Sequence, residues 1–184
     1  MDQLIKETQL PVYVLTTNWE GRHYGMTATW VCKASLRSDE LRLTVPLSKY
    51  NQTTKAILAS QSFLLHLLPP SAASVAFTFG AFHSEEVDKF EGLQTQLHAT
   101  GSKVLNVANR YGWAQVISTL ETEDRIIVYC SIKEVVTLKN KIQLLTSERF
   151  FEQLDSAQKS TLHEKFKSNS DRDAKPTNLV GFKT

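Results

Sequence analysis

The chain has 184 residues, a formal net charge of +2, a hydrophobic fraction of 41% and a charged fraction of 22%. These values are typical of one globular domain with a real core, and so small a net charge argues against bulk nucleic-acid binding. No apolar stretch approaches the roughly 20 residues that cross a bilayer and no secretory signal is visible, so we expect a single cytoplasmic domain over residues 1–184 with no membrane partner.

The first predicted elements are two strands. Residues 11–17 (PVYVLTT) are apolar and β-branched, which is typical of a buried strand. Residues 18–21 (NWEG) supply a turn, and a second strand is predicted from about residue 23 to residue 33. Two strands joined by a short glycine-bearing loop indicate a hairpin.

A third strand and the first helix follow. Residues 41–45 alternate in polarity, and Pro46 should end this strand because proline has no N–H to donate to a ladder. A short helix is predicted over about residues 51–60, capped by the side chain of either Ser48 or Asn51.

The second half of the chain adds three strands. They are predicted at about residues 63–68, 113–120 and 125–136, with a helical patch near residues 72–79. His66 lies within the first of these strands and is interpreted as a core histidine whose hydrogen bonds are satisfied. Short strands with a few helices between them favour a small β-barrel with helical additions.

The pattern changes after Thr146, and a helical extension is predicted over about residues 146–168. Ser147 can cap it, and apolar residues recur at helical spacing beyond the cap. Residues 169–184 are polar and are predicted to form a tail that is partly disordered or lies on the surface. The two cysteines, Cys32 and Cys130, fall in strand-like runs and are interpreted as small buried side chains.

One strand is unusually poor in bulky side chains. Residues 24–35 read YGMTATWVCKAS, and small residues of this kind let a flat ligand approach the backbone, whereas tight barrel packing is the alternative reason for them. Met26 and Trp30 are expected to point to the other face and fill the core. Further on, residues 48–57 (SKYNQTTKAI) lead into a helix whose N-terminus suits a phosphate group.

The same segments carry a family resemblance. Residues 11–17, 25–30 (GMTATW), 51–57 (NQTTKAI) and 87–93 (VDKFEGL), together with the position of Ser35, resemble the flavin reductase-like, FMN-binding split-barrel family over about residues 8–137. The resemblance implies a mainly β fold: a six-stranded Greek-key split barrel with a C-terminal helix. It also implies a homodimer that binds FMN, with FAD as a possible substitute, near the subunit interface.

The resemblance also assigns the cofactor-binding residues and the activity. Hydride would pass from NADH or NADPH to the flavin, and no residue needs to act as acid, base or nucleophile, so no catalytic residue is named and no metal site is expected. Four sets of residues are implied to bind the flavin. Thr27, Ala28, Thr29 and Trp30 would form a wall along the ring and ribityl chain, and Lys33, Ala34 and Ser35 would continue this flavin wall. Lys49, Asn51 and Thr53 would bind the phosphate, and Lys89 and Phe90 would close the site.

The sequence departs from the family at one position. Where many flavin reductases carry Asp-His before the last long strand, this chain has Asp124 and Arg125. The missing histidine leaves two alternatives open beside the reductase: an FMN-binding electron carrier without NAD(P)H activity, or a barrel that binds another flat ligand such as haem, or only a protein partner. A partner oxygenase is possible, but the sequence does not identify one.

Overall fold

The computed structural model describes residues 8–37, 39–140 and 143–173. Its described strands are β1 (Tyr13–Trp19), β2 (Arg22–Ala28), β3 (Cys32–Lys33), β4 (Arg42–Ser48), β5 (Ser62–Leu67), β6 (Thr95–Leu97), β7 (Lys103–Leu105), β8 (Arg110–Glu121) and β9 (Arg125–Thr137). Its described α-helices are α1 (Gln52–Ser60), α2 (Ala73–Ala81), α3 (Ser147–Gln153) and α4 (Ser156–Asp173). The mainly β class with added helices is therefore confirmed.

One antiparallel sheet organises the chain, with strand order β2-β1-β5-β8-β9-β4-β3, and β6 and β7 form a separate two-stranded ribbon. The predicted count of six strands is not confirmed, because this sheet has seven. Six of them are long, and the seventh is the two-residue β3. Within the described part of the chain, β2 and β3 are the edges of the sheet and are not paired with each other, so hydrogen bonds do not close it.

The hairpin of β1 and β2 is confirmed. Trp19 pairs with Arg22, which leaves a two-residue loop of Glu20 and Gly21. Both loop residues have positive φ, 51° and 77°, as the turn that matches the right-handed twist of two strands requires. Glycine adopts this conformation without steric cost, so the local sequence determines the hairpin.

Two strand boundaries differ from the prediction. The strand predicted over residues 23–33 breaks after Ala28, because residues 29–31 leave the ladder before β3 pairs with β4. Pro46 does not end its strand, and it pairs with Ile127 inside β4. Strand β9 pairs with β4 on one side, and on the other side β3 pairs only with Leu43 and Thr44. Pro46 therefore has no strand beside it on that second side, where its missing N–H costs no ladder hydrogen bond.

The C-terminal region also differs from the prediction. Thr146, not Ser147, caps α3 by accepting a hydrogen bond from the Arg149 N–H. A second helix follows, because the Asp155 carboxylate accepts from the N–H of Gln158 at 2.8 Å while the Gln158 side chain accepts from the N–H of Asp155. Helix α4 continues to residue 173, so residues 169–173 are helical. Residues 174–184 lie outside the described part.

Two hydrophobic clusters hold the fold together. The first lies between β1 and helices α2, α3 and α4, and it includes Phe79, Leu105 and Leu162. The second lies between the sheet and α1, and it includes Met26, whose predicted place in the core is confirmed. Helix α4 is thus anchored to the body of the domain through Leu162, which is only 2% exposed.

His66 is a buried, fully hydrogen-bonded histidine, as predicted. Its Nδ1 lies 3.0 Å from the Val14 carbonyl oxygen, and its Nε2 accepts from the Leu105 N–H at 3.2 Å. This arrangement requires the neutral ring with the proton on Nδ1. Burial lowers the pKa of His66 to about 4.

The two cysteines differ from each other. Cys130 is buried in the second cluster, and burial raises the pKa of its thiol to about 11. Cys32 is exposed, so the prediction that both are buried is wrong for this residue. The reason is that β3 is a strand of two residues at the edge of the sheet, and both of its residues are exposed.

Candidate functional site

The small residues of β2 pack in part against the protein itself. A Cβ atom at Gly25 would lie 2.3 Å from Cε1 of Phe79, so only glycine lets this helix side chain lie against the strand. The Thr27 hydroxyl donates to the carbonyl oxygen of Ala76 at 2.6 Å. Helix α2 therefore accounts for the lost side-chain volume at residues 25 and 27, which is the packing explanation left open by the sequence.

Three predicted site segments meet at one carbonyl group. The carbonyl oxygen of Gly25 accepts from the Thr53 hydroxyl at 3.0 Å and from the Lys89 ammonium at 2.9 Å. Lys89 also donates to the carbonyl oxygen of Phe79 at 3.2 Å. Burial, with a smaller contribution from the charge of Lys165, lowers the pKa of Lys89 to about 8. These bonds hold β2, α1 and the loop before residue 90 in fixed positions.

The first turn of α1 is capped from within the predicted phosphate segment. Asn51 is the N-cap, and its Oδ1 accepts from the Thr53 N–H at 2.8 Å. Lys49 forms an ion pair with Glu121 at the end of β8, and this pair raises the pKa of the lysine. Lys49 thus precedes the N-cap of α1 by two residues, and its charge is paired with a carboxylate.

Trp30 does not fill the core as predicted, because its side chain is 46% exposed. It lies in the loop between β2 and β3, where its ring is accessible to a ligand. The guanidinium carbon of Arg125 lies 5.2 Å from the centre of the Trp30 ring, and Arg125 Nε donates to Asp124 at 3.0 Å. Arg125, which stands where the family histidine was expected, is therefore beside the predicted flavin wall.

The three residues that continue this wall form an accessible strip beside β4. Lys33 and Ala34 are exposed and Ser35 is half-buried. The strip is held by the Ala34 N–H, which donates to the carbonyl oxygen of Arg42 at 2.8 Å, and by the Ser35 hydroxyl, which accepts from the Arg37 N–H at 3.1 Å. Ala28 and Thr29, which are half-buried, precede it.

Lys89 and Phe90 have mainly structural contacts in this chain. Phe90 is 5% exposed and packs edge-to-face on Phe79, with ring centres 5.1 Å apart. Both residues line a cavity of about 410 Å³, together with residues 21–23 and 84–88, but none of residues 27–35 or 49–53 does. That the two residues close over a flavin stays a prediction.

Sequence reasoning missed two residues near the start of α1, Tyr50 and Arg172 of α4. Arg172 of α4 donates to the Ser48 hydroxyl at 2.9 Å, and its guanidinium carbon lies 5.4 Å from the centre of the Tyr50 ring. Ser48 was considered as a cap and as part of the phosphate segment, but Tyr50 and Arg172 carried no recognisable signal. Arg172 lies 122 positions beyond Tyr50 in the chain, so only the folded structure brings them together.

The described residues form neither a metal-ligand cluster nor a membrane-spanning helix. No group of three or more His, Cys, Asp or Glu side chains among residues 8–37, 39–140 and 143–173 could hold a metal ion. Within the same ranges, no helix is long and apolar enough to cross a membrane.

Comparison with known proteins gives a family match over most of the chain. The sequence model of the family described as "Flavin reductase like domain" matches residues 5–155. A Nostoc sp. (strain PCC 7120) protein named "Putative diflavin flavoprotein A 2" is 26% identical over 135 residues, which cover 73% of this chain and 23% of that protein. The chain therefore matches less than a quarter of the length of that curated relative.

Solved structures have the same fold. A flavin reductase domain protein from Arthrobacter sp. FB24 superposes with a TM-score of 0.70 at 20% identity, covering 79% of this chain and 87% of that one. An FMN-binding protein from Thermus thermophilus, with bound 1-cyclohex-2-enone, gives 0.69 at 17%, covering 78% and 79%. Flavin reductase HpaC in complex with NADP+ gives 0.69 at 17%, covering 79% and 89%. At these identities the similarity establishes the fold.

Proposed function

This chain belongs to the flavin reductase like domain family, and we propose that it is an FMN-binding oxidoreductase that accepts hydride from NADH or NADPH. The observation that carries the proposal is the family match over residues 5–155, which contains every residue predicted to bind the flavin. FMN, when bound, supplies the hydride and electron chemistry itself. The residues of the chain bind and orient it and set the charge around it.

The chemistry of the residues fits FMN. The wall formed by residues 28–35 includes small side chains and the exposed Trp30 ring, which suit a flat aromatic ligand. The start of α1 offers backbone N–H groups and the helix dipole, and Lys49 adds positive charge, which together suit the phosphate. The guanidinium of Arg125 would stabilise negative charge on the flavin ring beside Trp30.

We further propose that the site is completed by a second copy of the chain. The flavin wall is open in one chain, and large apolar side chains near it are exposed: Trp30 at 46%, Leu36 at 96% and Leu41 at 37%. Exposed apolar groups around a ligand site are typical of an interface. Sedimentation equilibrium tests this proposal, and a monomer at micromolar concentration with FMN bound would contradict it.

The binding experiment is a titration of the purified protein with FMN and FAD, followed by quenching of flavin fluorescence. Saturable binding of FMN is expected. Ala34→Leu should weaken it, because Ala34 is exposed on the proposed wall and a longer side chain there costs the fold little. Ala99→Leu is the matched control, since Ala99 is exposed in a turn outside the wall. Equal FMN affinities of the two variants would show that Ala34 does not line the flavin site.

A second candidate function is an FMN-binding electron carrier, and the replacement of the family histidine by Arg125 favours it. Anaerobic stopped-flow mixing of the FMN-loaded protein with NADH or NADPH separates the two candidates. Loss of the oxidised flavin absorbance within seconds supports the reductase. A flavin that stays oxidised with both nucleotides but is bleached by dithionite supports the carrier.

A further inference from the structure

Helix α4 presents one face to the domain, and two cations lie on that face. Residues 162, 165, 169 and 172 follow one another at spacings of three and four, and all of them are buried or half-buried. Leu162 anchors the face against Gly80 of α2. Residues 163, 164, 167 and 168 are exposed. The helix therefore holds Lys165 and Arg172 against the domain.

Arg172 reaches the segment that precedes α1. Its guanidinium donates to the Ser48 hydroxyl at 2.9 Å, and it lies 5.4 Å from the Tyr50 ring centre, while Lys49 Nζ lies 5.8 Å from the centre of the same ring. Asn51, the next residue, is the helix cap. The Arg172 guanidinium, the Lys49 ammonium with its partner Glu121, and the N-terminus of α1 therefore meet at residues 48–51.

Positive charge extends from this point along the inner side of α4. Burial lowers the pKa of Lys165; the charge of Glu86 opposes this, and Arg172 makes a smaller contribution that lowers the pKa further. Burial also lowers the pKa of His83, and Lys165 adds to that effect; Glu86 opposes it, and Lys89 and Arg172 make smaller contributions that lower the pKa. Glu86 offsets part of this positive charge, and the remaining cations favour an anion bound among them.

We propose that Arg172 is a phosphate-binding residue, so that the C-terminal helix α4 completes the FMN site in the same chain by bringing a guanidinium to the phosphate monoester. This inference rests on the proposed function. A guanidinium presents several N–H groups in a rigid fork that matches phosphate oxygens, and the Tyr50 ring and the Ser48 hydroxyl hold it in place beside the first turn of α1.

The test compares FMN with riboflavin, which has the same ring and ribityl chain but no phosphate. Arg172→Gln should raise the dissociation constant of FMN about tenfold or more and leave that of riboflavin within about twofold. Arg172→Met is a second neutral variant that keeps an unbranched stem against Tyr50. Lys167→Gln is the matched control, because it removes one charge from the exposed face of α4 and should leave both constants within about twofold.

Each other outcome overturns the inference. Unchanged FMN affinity in either neutral variant would show that Arg172 does not bind the phosphate. Equal weakening of FMN and riboflavin would show that it acts through the ring site or the fold. Weaker binding of NADPH relative to NADH, with the affinity for FMN unaffected, would assign the charge to the 2′-phosphate of NADPH. If the wild-type protein binds neither flavin, the proposed function itself fails, and the inference falls with it.

Discussion

Replacement of Gly25 by alanine is expected to destabilise the domain, and the structure sets the size of the effect. The added Cβ atom would lie 2.3 Å from Cε1 and 2.6 Å from Cδ1 of Phe79, and 3.1 Å from the carbonyl oxygen of Leu15. Carbon atoms in contact lie about 3.5–4.0 Å apart, so the ring must move by about 1 Å. Phe79 is 1% exposed, and strain of this kind in a packed core costs about 1–3 kcal/mol.

The assay is urea unfolding of Gly25→Ala beside Gly112→Ala, a matched control in β8. A Cβ atom at Gly112 meets Ile132 at 3.4 Å, which is ordinary contact, and neither glycine has a positive φ. Because alanine has less backbone conformational freedom than glycine in the unfolded chain, the Gly112→Ala control should be as stable as the wild-type protein or more stable by up to about 1 kcal/mol. Gly25→Ala should lose about 1–3 kcal/mol.

A double-mutant cycle with Phe79→Leu identifies the contact that is responsible. If the clash with the ring causes the loss, removing the ring should recover part of it, and the coupling should be about 1 kcal/mol or more. Equal stabilities of the Gly25→Ala and Gly112→Ala variants would refute the packing argument. Additive effects in the cycle would show that the strain arises from the backbone instead.

Three further predictions concern titrating groups. His66 has a pKa of about 4 in the fold against about 6.5 unfolded, so stability should fall by up to about 3 kcal/mol between pH 6.5 and 4, and His66→Gln should lack that slope in urea titrations. The pKa of Lys89 is about 8 in the fold against about 10.5 in the unfolded chain, so the protein should become more stable by up to about 3 kcal/mol as pH rises from 8 to 10.5. A Lys89→Met variant with the same pH dependence of stability would contradict this. Ellman's reagent should modify Cys32 in the native protein and Cys130 only in denaturant, and FMN should slow the first reaction if residues 27–35 form the flavin wall.

Local patterns determined much of the sheet. The apolar run at residues 11–17 and the Glu20–Gly21 turn predicted a hairpin that the structure contains, because a two-residue turn with positive φ carries its own geometry. His66 was recognised as a core residue from its apolar neighbours in the strand. The boundaries near Ala28 and Pro46 were wrong, because whether a strand continues depends on which neighbours pair with it.

The role of the small residues in β2 required tertiary structure. The sequence showed that side-chain volume was missing but could not show what occupies the space. At Gly25 and Thr27 the occupant is helix α2, through Phe79 and the Ala76 carbonyl. At residues 28–35 the wall stays accessible, which is why the flavin proposal rests on that part of the segment.

By itself, the sequence determined the mainly β class, the family and the segment that begins α1, because turn chemistry, apolar periodicity and helix capping act between residues close together in the chain. Only the tertiary structure decided that Trp30 is exposed beneath Arg125, that Lys89 and Thr53 share the Gly25 carbonyl, and that Arg172 reaches Ser48. Contacts between residues so distant in sequence depend on how whole elements pack against each other, and no local pattern encodes that arrangement.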